Sequence, residues 1–280
     1  MYLNFTKMHG LGNDFIVIDS LSQAVDLNSE KIKFLANRNL GVGCDQVLII
    51  EPPKKPNVDF NYRIFNADGN EVQQCGNGAR CLGKYVSDKK LTAKEKILVS
   101  TINREILITI LDNKNISVEM GVPEFEPKKI PFIINENVEK KGFQYKLKLS
   151  NSDEIVTPVS MGNPHAVLTT DNIDIAPVNE LGQILEKHPN FPDRVNVIFM
   201  QALSRNQIKI RVFERGVGET QACGSGACAA VAAGIKNGHL DHKVKVSLFG
   251  GELNIYWAGD NSSLVMSGTA STVFEGRIKV

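Results

Sequence analysis

Phe65-Asn-Ala-Asp-Gly-Asn-Glu-Val-Gln-Gln-Cys75-Gly-Asn-Gly-Ala79 and Phe213-Glu-Arg-Gly-Val-Gly-Glu-Thr-Gln-Ala-Cys223-Gly-Ser-Gly-Ala227 are two versions of one pattern, offset by 148 (223 − 75). They share Phe65/Phe213, Glu71/Glu219, Gln73/Gln221, Cys75/Cys223, Gly76/Gly224, Gly78/Gly226 and Ala79/Ala227. Each is a loop that ends in Cys-Gly-X-Gly-Ala and runs into small and apolar residues, which predicts a cysteine at the start of a helix. The free amides and positive dipole end of a helix favour negative charge, so a thiol there loses its proton more readily than a free one, whose pKa is about 8.5. The flanking glycines let backbone N–H groups approach an anion such as a carboxylate. Each copy thus offers a base and half of an anion cradle.

The repeat continues on both sides. Gly12-Asn13 recurs as Gly162-Asn163 and Gln46-Val47-Leu48-Ile49 as Asn196-Val197-Ile198-Phe199, both at offset 150 (162 − 12). Beyond the cysteines, Val99-Ser100, Glu105, Ile108, Val118 and Gly121 recur as Val246-Ser247, Glu252, Ile255, Val265 and Gly268, at offset 147 (246 − 99). Matches in this order with nearly constant offsets imply a duplicated domain. Alternating runs at Ile106 to Leu111 and Ile116 to Met120, joined by Asp112-Asn113-Lys114-Asn115, predict a hairpin; Val244 to Phe249, Glu252 to Trp257 and Leu264 to Ser267 predict its counterparts. From Ala227 to Ile235 no charge occurs before Lys236 and an Asn237-Gly238 stop. A helix apolar all round must be buried on every side. The predicted fold class is α+β, with two pseudo-symmetric domains, each a mostly antiparallel sheet or barrel wrapped around a central helix. Arg80 and Lys84 are expected to make the helix after Cys75 less uniformly apolar. The domains are expected at 1–121, completed by the tail 269–280, and at 122–268, with the active site in the cleft between them.

Length and composition agree. At 280 residues the chain is natural for two domains. With 42% hydrophobic and 22% charged residues and a net charge of +1, it gives no electrostatic reason to bind nucleic acid or membrane. There is no signal-peptide pattern and no run of eighteen apolar residues, so a cytoplasmic location is expected. The cysteines at 44, 75, 81, 223 and 228 are odd in number and expected to be free thiols. No Cys-x-x-Cys occurs, so no metal site is expected.

Two such cysteines suggest a specific chemistry. If pseudo-twofold symmetry relates the halves, a substrate carbon held between the thiols loses a proton to one sulfur and gains one from the other on the opposite face, which inverts a stereocentre. Two coupled thiols in different protonation states suit that task. An amino-acid α-proton is a very weak acid, and a positioned base contributes roughly 10²–10⁴ in rate. The remainder must come from amides facing the carboxylate as it gains enolate-like charge, with water excluded. No Schiff-base lysine motif or glycine-rich phosphate loop stands out, so neither pyridoxal phosphate nor any other cofactor is expected.

Gly-Leu-Gly-Asn-Asp-Phe (10 to 15), Gly-Val-Gly-Cys-Asp-Gln (41 to 46), Asn-Ala-Asp-Gly (66 to 69), Cys-Gly-Asn-Gly-Ala-Arg-Cys (75 to 81), Gly-Asn-Pro-His (162 to 165), Val-Asn-Val (195 to 197) and Glu-Arg-Gly-Val-Gly-Glu-Thr-Gln-Ala-Cys-Gly-Ser-Gly (214 to 226) together closely resemble the diaminopimelate epimerase family, in order over nearly the whole chain. The resemblance implies a cofactor-free enzyme that interconverts LL- and meso-diaminopimelate on the route to lysine and peptidoglycan, usually as a homodimer. It makes Cys75 and Cys223 the acid/base pair, with Gly76-Asn77 and Gly224-Ser225 holding the reacting carboxylate. Asn13 and Gln46 contact the substrate near the reacting end, while Asn66, Asn163, Asn196 and Arg215 read the distant amino-acid end. His165 and Glu214 tune the thiols and bind the reacting amino group, and Phe274 matches a dimer-contact position. The residue types suit such a substrate, because a second zwitterion needs a cation for its carboxylate and amides that donate and accept. Two departures stand out: Asn70 replaces the usual serine, and Cys44, two residues before Gln46, adds an expected oxidation liability near the pocket.

Other readings of these residues differ in what they explain. A proline or hydroxyproline racemase would share the architecture and thiol pair, but its compact substrate has no use for Arg215 with Asn66, Asn163 and Asn196. A non-enzymatic redox-sensing dithiol protein would also leave that set unexplained. Cys81 and Cys228 are expected to be small buried hydrophobes. His9, His188, His239 and His242 read as structural, while His165 and Arg38 stand evenly between structure and function. Asn66-Ala67-Asp68-Gly69 fails as a calcium loop because Asn77, not glutamate, occupies the twelfth position. Glu71 and Glu219 are assigned loop hydrogen bonds and no catalytic role.

Overall fold

The computed structural model describes residues 2–72, 75–111, 115–136, 138–149 and 152–280. The chain divides into two compact units, one formed by Met1–Glu119 with Ser267–Val280 and the other by Met120–Met266. In the first, the strand Tyr2–Gly10 turns through Leu11 and Gly12, both at positive φ, into the antiparallel strand Asn13–Asp19. Two positive-φ residues match the right-handed twist of flanking strands, so the turn delivers Asn13 to a strand start. Asn13–Asp19 pairs in parallel with Gln46–Glu51 after helix α1 (Ser29–Ala36). Gln46–Glu51 lies antiparallel to Phe60–Asn66, which pairs with the short strand Glu71–Val72 and, in parallel, with Lys96–Ser100. Helix α2 (Gly76–Asp88) makes that second crossover. Lys96–Ser100, Glu105–Ile110 and Asn115–Gly121 follow as an antiparallel meander. Of the anticipated hairpin loop, residues 112–114 lie outside the described residues, as does Gln73. The tail strand Ser271–Lys279 pairs antiparallel with Tyr2–Gly10.

The second unit repeats this order. Asp153–Ser160 is antiparallel to Pro164–Thr169, which pairs in parallel with Asn196–Ser204 across helix α3 (Val178–Glu186). Asn196–Ser204 is antiparallel to Gln207–Glu214, which pairs with Gly218–Thr220 and, across helix α4 (Gly224–Lys236), in parallel with Lys243–Leu248. Lys243–Leu248 then turns back into Gly251–Tyr256. The registers coincide: Phe65 faces Glu71 in the first unit and Phe213 faces Glu219 in the second. The sheets are thus mostly antiparallel, as expected for an α+β chain. The parallel pairs, and with them α1 and α3, were not anticipated. A parallel pair requires a crossover, and helices supply it.

The two central helices meet the expectation unequally. In α4, Gly224, Gly226 and every residue from Ala227 to Gly234 are buried. The helix packs against five strands of its own unit, from Asp153–Ser160 to Gly251–Tyr256, and ends at Asn237 with Gly238 at φ +75. In α2, Arg80 does not mark an exposed face: it is fully buried. It persists there because its Nη2 donates to Asn77 Oδ1 at 2.9 Å and its Nε to the Thr269 carbonyl at 3.2 Å. A charge taken from water needs such partners.

A second duplicated device escaped the sequence reading. Glu71 and Glu219 each take a two-pronged ion pair from an arginine eight residues earlier, Arg63 at 2.8 and 2.7 Å and Arg211 at 2.6 and 2.9 Å. The pair ties the short strand to its neighbour just before each cysteine loop, a stronger tie than the loop hydrogen bonds anticipated. The second pair is the better shielded, with both side chains 17% exposed against 35% and 25% in the first. Glu219→Gln should therefore lower stability by about 1–3 kcal/mol, and Glu71→Gln by less, in urea denaturation. Equal or negligible losses would contradict a structural role graded by burial.

Candidate active site

Cys75 and Cys223 stand at the same structural position, each the extended N-cap residue of a 13-residue helix. In neither does the cysteine side chain cap the helix, and neither helix has an acidic residue in its first turn. Helix α1 shows the ordinary alternative, with Asn28 accepting from Lys31 N–H and Glu30 in the first turn. At the positive ends of α2 and α4, then, neither an N-cap side chain nor a first-turn carboxylate offsets the dipole, which suits an anionic ligand.

In the first unit, Asn13, Cys75 and Asn77 come together. Asn13 Oδ1 accepts from Asn77 Nδ2 at 3.2 Å and from the Cys75 thiol at 3.6 Å, while its Nδ2 donates to Asp45 Oδ2 at 3.0 Å. Tyr62 Oη donates to the Cys75 carbonyl at 3.2 Å, and burial holds this phenol well above its ordinary pKa. Gln46 and Asn66 face each other in register, and Gln46 Nε2 donates to Asn66 Oδ1 at 2.8 Å. Behind Asn13, Arg38 and Lys7 pair with Asp14 at 2.8 and 2.6 Å. Burial acts to raise the Asp14 pKa, but the hydrogen bonds from Arg38 and Lys7 outweigh it and hold the carboxyl well below the usual range. Cys44 corrects an expectation: it is 2% exposed, and burial pushes its thiol up to about 12, so it stays protonated and shielded from oxidants. Cys81 is buried and likewise pushed up to about 12 by burial, and Cys228 is buried too.

In the second unit, His165, Ser225 and Cys223 form a chain, with His165 Nε2 at 3.1 Å from Ser225 Oγ and that oxygen at 3.5 Å from Cys223 Sγ. His165 is fully buried. Burial chiefly lowers its pKa to about 4, the charge of Arg215 adding to this and the backbone of Asn163 and Val159 opposing it. The imidazole is neutral at neutral pH. Asn196 Oδ1 accepts the Arg215 backbone N–H at 2.9 Å, and Arg215 Nη1 donates to the Asp193 carbonyl at 2.7 Å. Glu214 accepts from Thr220 Oγ1. Asn163 follows Gly162, at φ +94, in the turn before Pro164–Thr169. Gly76 and Gly224 open the two helices. Phe274, on the tail strand, is 47% exposed and meets Phe5 edge-on with centroids 5.9 Å apart.

Position by position the two sets are equivalent: Asn13 with Asn163 (163 − 13 = 150), Gln46 with Asn196 (196 − 46 = 150), Asn66 with Glu214 (214 − 66 = 148), and Asn77 with Ser225 (225 − 77 = 148). Asp45, Tyr62 and the buried Arg80 were missed as neighbours of this set. Asp45 and Arg80 lie within the quoted motifs, but spacing alone does not tell a neighbour from a ligand. Among the described residues no group of three or more His, Cys, Asp or Glu is placed to hold a metal, and no helix is long and apolar enough to cross a membrane.

The family model described as diaminopimelate epimerase matches residues 5–126 and 157–273. The chain is 49% identical to the diaminopimelate epimerase of Azotobacter vinelandii and 50% identical to that of Teredinibacter turnerae, in each case over 280 residues and 100% of both chains. Among solved structures it resembles a hydroxyproline epimerase from Agrobacterium vitis, with TM-score 0.71 and 14% identity over 99% of this chain and 92% of that one. It also resembles a Bacillus anthracis phenazine biosynthesis protein of the PhzF family, with TM-score 0.70 and 16% identity over 100% of both. At these identities the structural likeness speaks for the fold alone.

A pH experiment follows from the buried imidazole. Its folded pKa of about 4 lies below the ordinary 6.5, so the unfolded chain binds the proton first as pH falls. Stability should decline between pH 6.5 and 4, by on the order of 1.4 kcal/mol per unit from this group, with no contribution above that window. Denaturation curves of His165→Gln should fall less steeply across the same range; parallel curves would show that His165 is not held neutral.

Proposed function

The chain belongs to the diaminopimelate epimerase family, and from that premise we propose that it interconverts LL- and meso-diaminopimelate without a cofactor, in the biosynthesis of lysine and peptidoglycan precursors. The observation that carries the mechanism is the matched placement of Cys75 and Cys223, one per unit, as non-capping N-cap residues of equal-length helices. One sulfur, as thiolate, takes the α-proton; the electron pair left on carbon spreads into the carboxylate. The other sulfur, as thiol, returns a proton to the opposite face, and the two exchange protonation states with each turnover. Each of the two domains, 1–121 with 269–280 and 122–268, carries one such thiol.

Backbone amides at Gly76-Asn77 and Gly224-Ser225 stabilise the carboxylate as it gains charge, at helix ends whose first turns carry no acidic residue. Asn13 and Gln46 hold the reacting end, and Asn66, Asn163, Asn196 and Arg215 bind the distant ammonium and carboxylate. His165 and Glu214 tune the thiols and receive the reacting amino group. The neutral state of His165 supports this, since a neutral ring and a hydroxyl can both reorient their hydrogen bonds during proton transfer. The enzyme works in the cytoplasm as a homodimer with Phe274 at the contact. A proline-type racemase shares the fold, but Arg215 favours the longer substrate with a second charged end.

Cys75→Ala and Cys223→Ala should each lose epimerisation by at least about 10³-fold while remaining folded by circular dichroism. Retention of full turnover by either one would refute the two-base scheme. Incubation with each diaminopimelate isomer in heavy water should place deuterium at the inverted carbon; uptake into proline instead would reverse the substrate assignment. Arg215→Ala should raise KM by about 10-fold or more with a smaller change in kcat. Steady-state kinetics with an unchanged KM would remove Arg215 from the distal site.

A further inference from the structure

The hydrogen-bond polarity around Cys75 is dictated from two ends. Arg80 is a donor only, so Asn77, which it binds at 2.9 Å, must present Oδ1 to it and turn Nδ2 away. That Nδ2 reaches Asn13 at 3.2 Å and requires an oxygen there. Independently, Asp45 as a carboxylate is an acceptor only, so it must receive Asn13 Nδ2, 3.0 Å away. Asp45 is itself held by Arg38 Nη2 at 2.8 Å and by the Asp14 N–H at 3.1 Å. Both constraints turn Asn13 the same way, with Oδ1 toward Cys75 Sγ at 3.6 Å. A thiol can donate to that oxygen, whereas a thiolate would face its lone pairs. Cys223 meets a different partner, Ser225 Oγ at 3.5 Å, a hydroxyl able to donate as well as accept.

We propose that Asp45 and Arg80 are positioning residues that lock the amides of Asn13 and Asn77 so that Cys75 keeps its proton in the resting enzyme and Cys223 is the ionised thiol. The assignment rests on the two-base reading, yet it concerns protonation before substrate arrives and is measurable without turnover.

Iodoacetamide reacts with thiolates, so the pH midpoint of alkylation at each cysteine, followed by peptide mass spectrometry on the intact protein, reports each ionisation separately. Midpoints are compared because the two thiols differ in exposure. The Cys75 midpoint should lie above that of Cys223 by roughly one pH unit or more; the reverse order would overturn the proposal, with no variant needed. Asn13→Ala, which removes the acceptor, should lower the Cys75 midpoint and leave that of Cys223 in place. An unmoved Cys75 midpoint would exclude the acceptor. Asp45→Ala should lower it partly, whereas Asp45→Asn, which can still offer an oxygen to Asn13, should stay near the parent value. If the two Asp45 variants shift equally, the residue acts by charge and the locking role is refuted. Absence of epimerisation alongside the predicted thiol order would count against the proposed reaction alone.

Discussion

A helix without a polar face can exist only where protein surrounds it, and that requirement organises the second unit. From Ala227 to Gly234 every residue of α4 is buried, and strands of its own unit pack around it. Enclosure has a consequence at the helix start. The first-turn amides lack intrahelical partners, and a side chain or a ligand must meet them. At α1 an asparagine does so; at α2 and α4 a cysteine occupies the N-cap position and makes no capping bond. The same constraint that buries the helix thus prepares a positive pole next to a thiol.

Duplication explains why this happens twice with so little shared sequence. What repeats is the set of residues that local geometry demands: glycines at the turns before Asn13 and Asn163, glycines flanking each cysteine, and the arginine–glutamate pair that ties the short strand ahead of each loop. What differs is the polar surroundings of the two sulfurs. One has an asparagine oxygen backed by Asp45, Arg38 and Arg80; the other has a serine hydroxyl backed by a buried neutral imidazole. A symmetric frame with unlike neighbours is a physical route to two thiols with unlike proton affinities, whereas inversion at carbon requires only that one be ionised while the other is not.

Burial alone does not sort the cysteines, since Cys223 is as much enclosed as Cys44, Cys81 and Cys228 while Cys75 is half-buried; what sets Cys75 and Cys223 apart is their place at a helix start. Cys44 lies within one of the quoted motifs and near Gln46 in sequence, yet desolvation raises its thiol pKa to about 12. Cys75 and Cys223 are each followed by Gly-X-Gly, as no other cysteine in the chain is.

Periodicity, an internal repeat and glycine-flanked motifs are local properties, so the linear chain alone determined the duplicated α+β plan, the buried helix from Ala227 onward and the two cysteines as its focus. Tertiary structure alone decided what depends on distant partners. Helices α1 and α3 accompany parallel strand pairs that no local pattern announces. Arg80 is charged in sequence and buried in the fold, because oxygens from Asn77 and from Thr269, far along the chain, satisfy it. Which way Asn13 points depends on Asp45 and Asn77, 32 and 64 residues away. Hydrophobic order is written residue by residue, whereas the direction of a hydrogen bond is a property of the pair, and the pair exists only once the chain has folded.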